Sequence, residues 1–192
     1  MNLKLAALVL AAVFLAGCAS VPPPNCVAFG RGQFCLLPPA ALPAVDGAHM
    51  VTIEHDGGKQ MFIAQLHIDQ HVIRLAGSSL FGPSLFTVSY DGHALHSEPA
   101  QVSQRADLLI AMLELVTADQ RYLQTAMQGL TLTQTTATDG ARVRELFQQD
   151  RVVAHIEISA GSLAQASIRF NIPPAHMSVL MRPLANQALS QP

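Results

Sequence analysis

Hydrophobic and polar positions alternate with a period of two over much of this chain. Val51, Ile53 and His55 alternate with Thr52, Glu54 and Asp56, and Gly57-Gly58 predicts a tight reversal into a strand over 59–68. In that strand Phe62, Ala64, Leu66 and Ile68 share one face. Asp69-Gln70 predicts the next turn, and 71–76 a third strand. After Gly77-Ser78-Ser79, residues 85–90 place Phe86, Val88 and Tyr90 on one face, and Asp91-Gly92 predicts a type I′ turn into 93–97. Short loops between alternating runs specify an antiparallel meander, unlike the strand–helix alternation of a doubly wound fold.

The period changes behind Ser103. Leu108, Met112 and Leu115, widened by Leu109 and Leu113, predict a helix over 104–116 capped by Ser103. Asp119 near a cap and the Leu123–Met127 spacing predict a second helix over 119–128, which Gly129 ends. Strand character returns over 130–136, 141–147, 151–159, 164–170 and 177–181, with Pro173-Pro174 interrupting the last hairpin. The segment Val27–Leu37 reads as irregular. No repeat or internal boundary is visible, so residues 26–192 form one expected domain. The expected fold class is α+β, mainly β: a strongly curved antiparallel sheet whose helices cover its concave side or plug its mouth, because two helices cannot cover both faces of so many strands.

The N-terminus adds location. Lys4 precedes an apolar run over 5–16, the pattern of a secretory signal over 1–17 and too short for the about 20 residues that cross a bilayer. Leu15-Ala16-Gly17-Cys18 resembles a bacterial lipobox, and that resemblance implies cleavage before Cys18 and a lipid on its thiol. Two or three acyl chains hold a protein on a membrane without spanning it. Ala19 resembles the sorting residue of outer-membrane lipoproteins, which implies anchoring at the periplasmic face of the outer membrane. Residues 18–25, with three consecutive prolines, predict an extended tether. Cys26 and Cys35, an even pair in an exported chain, predict a disulfide, with two free thiols as the alternative.

Composition and charge exclude more than they assign. With the signal removed, ten Lys and Arg oppose thirteen Asp and Glu, and no basic cluster exceeds Arg142 and Arg144, which argues against nucleic acid. Among eight histidines, His67 and His71 flank a predicted turn, while His93 and His96 point to opposite faces. His55, His67 and His155, with Glu157, would form a metal site only if their strands adjoin, so no metal is expected. Ser79 and Ser162 lack a nucleophile elbow, and Asp91 and Asp139 precede turn glycines. Asp107 and Glu114 stand about 10.5 Å apart along a helix, too far for a close carboxylate pair. No catalytic residue, cofactor or phosphate loop is expected, and the chain does not read as an enzyme.

The segment Ser79–Gly92, SLFGPSLFTVSYDG, together with Leu36-Leu37-Pro38-Pro39 behind the lipobox, resembles a family of bacterial outer-membrane lipoproteins of unassigned function. Some of these are associated with fatty-acid-like or aryl polyene biosynthesis genes, and the family is similar to the LolA/LolB lipoprotein carriers. The resemblance implies a LolA/LolB-like half-barrel with helices in its mouth. It also implies a non-catalytic protein that binds or transfers a lipid, a lipoprotein acyl chain or another long apolar ligand. Phe62, Leu66, Phe86, Val88, Tyr90, Leu108, Met112, Ile156 and Ile168 are the candidate cavity-lining residues; periodicity alone does not separate a lined cavity from a packed core. By analogy Leu80 and Phe81 would engage the membrane, whereas the simpler expectation folds both inward. The alternatives are an adaptor for an envelope or polyene-lipid export assembly, with an envelope protein as partner, and a small acyl-ester hydrolase.

Overall fold

The computed structural model describes residues 25–99 and 105–184. The signal over 1–17, Cys18, residues 19–24 of the tether and the Ser103 cap lie outside the described residues. Strands β1 (Cys26–Phe29) and β2 (Gly32–Cys35) form a hairpin that pairs Cys26 with Cys35, and these two cysteines form the expected disulfide. The segment read as irregular is therefore a hairpin through Cys35, because Val27, Phe29 and Phe34 alternate into the core. An antiparallel meander follows: β3 (Val45–His55), β4 (Gly58–Ile68), β5 (Ile73–Ser78), β6 (Ser84–Tyr90) and β7 (Leu95–Glu98). Helices α1 (Ala106–Thr117) and α2 (Gln120–Ala126) lead through β8 (Met127–Gln128), which joins β2, to a second meander. That meander comprises β9 (Thr131–Thr136), β10 (Arg142–Gln148), β11 (Arg151–Ile158), β12 (Ile168–Ile172) and β13 (Met177–Pro183).

The two meanders join into one ten-stranded sheet ordered β7-β6-β5-β4-β3-β13-β12-β11-β10-β9. Its seam is β3 against β13, with Val51 opposite Met181 and Ile53 opposite Val179. The expected strongly curved half-barrel is not what forms: the fold is α+β with a large open sheet, neither closed nor strongly curved. The edges explain why it stays open. β7 (LHSE) and β9 (TLTQTT) are short and polar and leave most of their side chains to solvent, a composition that discourages edge pairing. The chain instead passes from one edge to the other through α1 and α2, so the helices lie on one face of the sheet. Ten strands at about 4.8 Å make that crossing roughly 40 Å wide, which forces the connection across the core face.

Several turns differ in detail from the expectation. Asp56 and Gly57 both take positive φ, +49° and +77°, so the two-residue β3–β4 turn sits one position earlier than Gly57-Gly58. Asp91-Gly92 is not a type I′ turn. Four residues link Tyr90 to Leu95, and the Asp91 carboxylate accepts the N–H groups of His93 and Ala94 at 2.8 and 2.7 Å. Residues 163–165 form a turn, and β12 begins only at Ile168. Pro173-Pro174 opens a 3-10 turn that completes the β12–β13 hairpin.

Helix α1 is buried on nearly every side, from Ile110 through Thr117. One flank faces the large sheet, and the other packs toward β1. Its C-terminal end has no basic residue of its own in the last turn. Arg144 on β10 fills that place with 1 % of its surface exposed. The guanidinium donates to the carbonyls of Leu115 (2.6 Å), Val116 (3.2 Å) and Ala118 (2.8 Å), and Nε donates to Gln134 Oε1 at 2.8 Å. These carbonyls are among those a helix end leaves without intrahelical partners, and their partial negative charge favours a cation. Burial lowers the Arg144 pKa to about 10, so it remains charged near neutrality. Arg144→Ala should cost about 3–5 kcal/mol in urea unfolding because buried carbonyls lose their donors. Arg144→Lys should recover part of that loss, since an ammonium keeps the charge but lacks the planar fork.

Candidate functional site

Between α1 and the large sheet lies an apolar cavity of about 650 Å³. The sheet supplies odd-numbered residues of β3 and even-numbered residues of β4, which alternation places on one face: Val51 and Ile53, then Phe62, Ala64 and Leu66. Phe86 from β6 and Phe170 from β12 add aromatic walls, and Phe62 meets Phe86 edge to face at 5.4 Å. Gly77 makes room for this wall, because a Cβ there would collide with the Phe86 ring. The roof is Leu108, Leu109, Met112, Leu113 and Val116 of α1. A hollow of about 780 Å³ beside the β3–β4 turn is a surface depression whose lining includes Glu54, Asp56 and His176. The apolar, roofed cavity is the stronger candidate site.

Six of the residues expected to line a cavity do so: Phe62, Leu66, Phe86, Leu108, Met112 and Ile168. Val88, Tyr90 and Ile156 are buried but do not line it. Ile156 pairs with Arg144, so the space above β11 holds that side chain and the end of α1. Tyr90 donates its hydroxyl to the Gly92 carbonyl at 3.1 Å, and burial raises its pKa. Leu80 and Phe81 do not fold inward. Phe81 is 95 % exposed at the tip of the β5–β6 turn, with Leu80 at 45 % and Leu85 at 44 %.

The histidines do not gather. His55 and His67 stand toward opposite ends of the β3–β4 hairpin, and His155 lies on β11. His67 bridges Asp46 (2.6 Å) and Asp69 (3.2 Å), and these hydrogen bonds, Asp46 first, raise its pKa. The N–H groups of His71 and Val72 do most to hold Asp69 down at about 2. His155 contacts Glu145 at 3.1 Å and Glu157 at 3.3 Å, an arrangement of partly exposed hydrogen bonds. Among the described residues no cluster of metal-ligating side chains is present, and no helix is long and apolar enough to cross a membrane.

The burial of two polar groups was not legible in the sequence. His49 is 1 % exposed and lines the cavity. Its position in the odd-numbered row of β3, two residues before Val51, is the available signal. Glu114 is fully buried on the flank of α1 facing the N-terminal segment, and one carboxyl oxygen accepts the Leu37 N–H at 2.8 Å. Burial pushes its pKa up to about 8, the Leu37 hydrogen bond opposing only part of the shift. Near neutral pH this carboxyl keeps its proton.

The geometry defines a class: an α+β domain with an open antiparallel sheet and a helix-roofed apolar cavity. The chain belongs to the family described as a protein of unknown function (DUF3261), which matches residues 47–185, more than half of its length. That span runs from within β3 past the end of β13 and so contains every residue lining the cavity. The family match, together with the open sheet, overturns the resemblance to the LolA/LolB carriers. No curated protein gives a significant match to the chain.

Glu114 makes stability depend on pH. Between its ordinary value of 4.5 and its folded value of about 8, the unfolded chain has lost a proton that the folded chain keeps. This contribution to stability is present in full below pH 4.5, falls as pH rises to about 8, and levels off above. Denaturant titrations at several pH values should show this fall in the wild type and a flatter profile in Glu114→Gln, which accepts the same Leu37 N–H without ionising. The variant should gain a few kcal/mol relative to wild type between pH 5 and pH 8.5.

Proposed function

We propose that this protein is a non-catalytic binder of long apolar ligands such as lipids or acyl chains, acting as a receptor or transfer component. In this reading a lipid on Cys18 anchors it to the periplasmic face of the outer membrane. The observation that carries the proposal is the roofed cavity. Its volume falls within the roughly 300–1,000 Å³ of small-molecule sites, and its wall is overwhelmingly Leu, Ile, Val, Phe and Met. Transfer of about 300 Å² of ligand hydrocarbon out of water would supply roughly 7 kcal/mol before the cost of association. Met112, Met177 and Met181 give the lining side chains that repack around differing chains.

The exposed tip supports a membrane source for the ligand. Phe81 and Leu80 project from the turn that leads to Leu85, which is itself half-exposed and reaches the cavity. An apolar path thus connects the outermost residue of the turn with the interior. Contiguous exposed apolar side chains are otherwise uncommon on a protein that meets only water.

Two outcomes are expected. Protein depleted of bound lipid should take up an apolar fluorescent probe and release it to long-chain lipids. Met112→Trp should weaken uptake about tenfold by filling the cavity while leaving the melting temperature within a few degrees. The chain has no tryptophan, so the new indole also reports whether the roof packs normally. Failure of both probe uptake and lipid co-purification by native mass spectrometry would remove the proposal. Separately, Phe81→Asp should slow transfer of lipid from vesicles severalfold while leaving probe affinity in solution unchanged; equal transfer rates would separate the tip from the function.

A further inference from the structure

One polar group on the cavity wall lacks a well-formed hydrogen bond. Neither ring nitrogen of His49 has a hydrogen-bond partner among the described residues, although the side chain is almost wholly buried. Burial lowers its pKa, and the backbone of Leu163 and Ala166 lies close enough to oppose part of that shift without completing a hydrogen bond of good geometry to either nitrogen. Burial of an imidazole without partners is costly, and it is found where something else supplies them. Close packing by Gly47, whose missing Cβ would crowd Ala164 and approach the ring, keeps this corner of the cavity narrow.

The charge of the lining narrows the partner. The ionisable side chains on the cavity wall are His49, His55 and Arg105, with no aspartate or glutamate among them. His55 already meets Asp56 at 3.1 Å, so among the described residues Arg105 supplies the wall's unpaired positive charge, which favours a ligand with an acidic head. From His49 the apolar lining of β3 continues through Val51 and Ile53 to His55, six residues or roughly 20 Å further along the strand. The lining thus runs from His49 along β3 for the length of one long chain.

We propose that His49 receives the carboxyl head of a long-chain fatty acid, whose hydrocarbon chain lies along β3 beneath α1. This rests on the cavity-binding function proposed above and names its ligand class. A carboxylic acid brings its own proton. Either its O–H donates to an imidazole nitrogen, or the proton crosses and the imidazolium N–H donates to the carboxylate. The buried pair has no net charge in either form, so no lone ion is left in the apolar interior. A phosphate monoester would leave excess negative charge there, and an alcohol or ester would form only a neutral hydrogen bond of roughly half the strength.

Displacement of the bound apolar probe by hexadecanoic acid, hexadecan-1-ol, methyl hexadecanoate and a monoacyl phosphatidic acid tests this in the full chain. The acid should displace at about tenfold lower concentration than the alcohol or ester, and His49→Leu should abolish that preference while retaining the alcohol. Equal displacement by acid, alcohol and ester in the wild type would overturn the role of His49 and leave the cavity function standing. Stronger displacement by the phosphatidic acid than by the fatty acid would overturn the carboxyl assignment. No displacement by any of the four would remove the cavity function and this inference with it. Should His49→Leu fail to fold, the wild type decides alone. Hexadecanoic acid should shift the ¹⁵N resonances of the His49 ring and hexadecan-1-ol should shift them less; unchanged resonances on acid binding would overturn the proposal.

Discussion

The hold of Arg144 on the end of α1 is the interaction on which the cavity depends. An open sheet with one apolar face must be covered, and among the described residues α1 and α2 are the helices available to cover it. A helix of twelve residues is marginal by itself and would not keep its place over a smooth hydrophobic surface by propensity alone. Hydrophobic contact is non-directional; it makes α1 bury but does not fix its height or its end point. Arg144 supplies that direction. It stands on β10, near one edge of the sheet, and three backbone carbonyls at the end of the helix converge on its planar guanidinium.

A second fixed point lies on the opposite flank. Glu114 joins α1 to Leu37, and the disulfide-linked β1–β2 hairpin precedes that residue. The helix is thus tied to the large sheet by a buried cation and to the N-terminal hairpin by a buried, protonated acid. The two groups are not a salt bridge and are not interchangeable. Arg144 retains its charge because helix carbonyls solvate it, whereas Glu114 has one amide for one oxygen and none for the other, so it keeps its proton instead. Between the two ties the roof can stand off the sheet and leave a space that uncontrolled collapse would close.

The alternation of the strands was readable because one side of each is buried and the other is not. It yielded the strands of both meanders and the two helices to within a few residues at most ends. The seam was not readable. β13 looks like a short terminal strand after Pro173-Pro174, yet it lies at the centre of the sheet, because pairing β3 with β13 is a contact between residues more than 120 positions apart that periodicity does not record. The inference of a strongly curved sheet failed for a related reason: burial pattern fixes which face is inward, while openness is decided by the polarity of the edges β7 and β9. At the site, six lining residues followed from face and helix stripe. Val88, Tyr90 and Ile156 share that patterning but meet other side chains, so the boundary between cavity and core lay in the third dimension.

The contrast between wall and polar end bears on selectivity. Leu, Val and Met surfaces attract hydrocarbon in proportion to buried area, and an added methylene changes affinity only modestly. Such a wall distinguishes poorly between chains of similar length or branching. A single imidazole with both nitrogens unpaired behaves differently, since leaving it unpaired costs the same whichever apolar chain enters. On the function proposed above, chain capture and head discrimination would be separable: the methionine-bearing wall would set the breadth of ligands accepted, and one residue of β3 their orientation. A cavity built in this way would hold a varied set of chains in a common direction, which is what a component that receives lipid at one end and releases it from the same end requires.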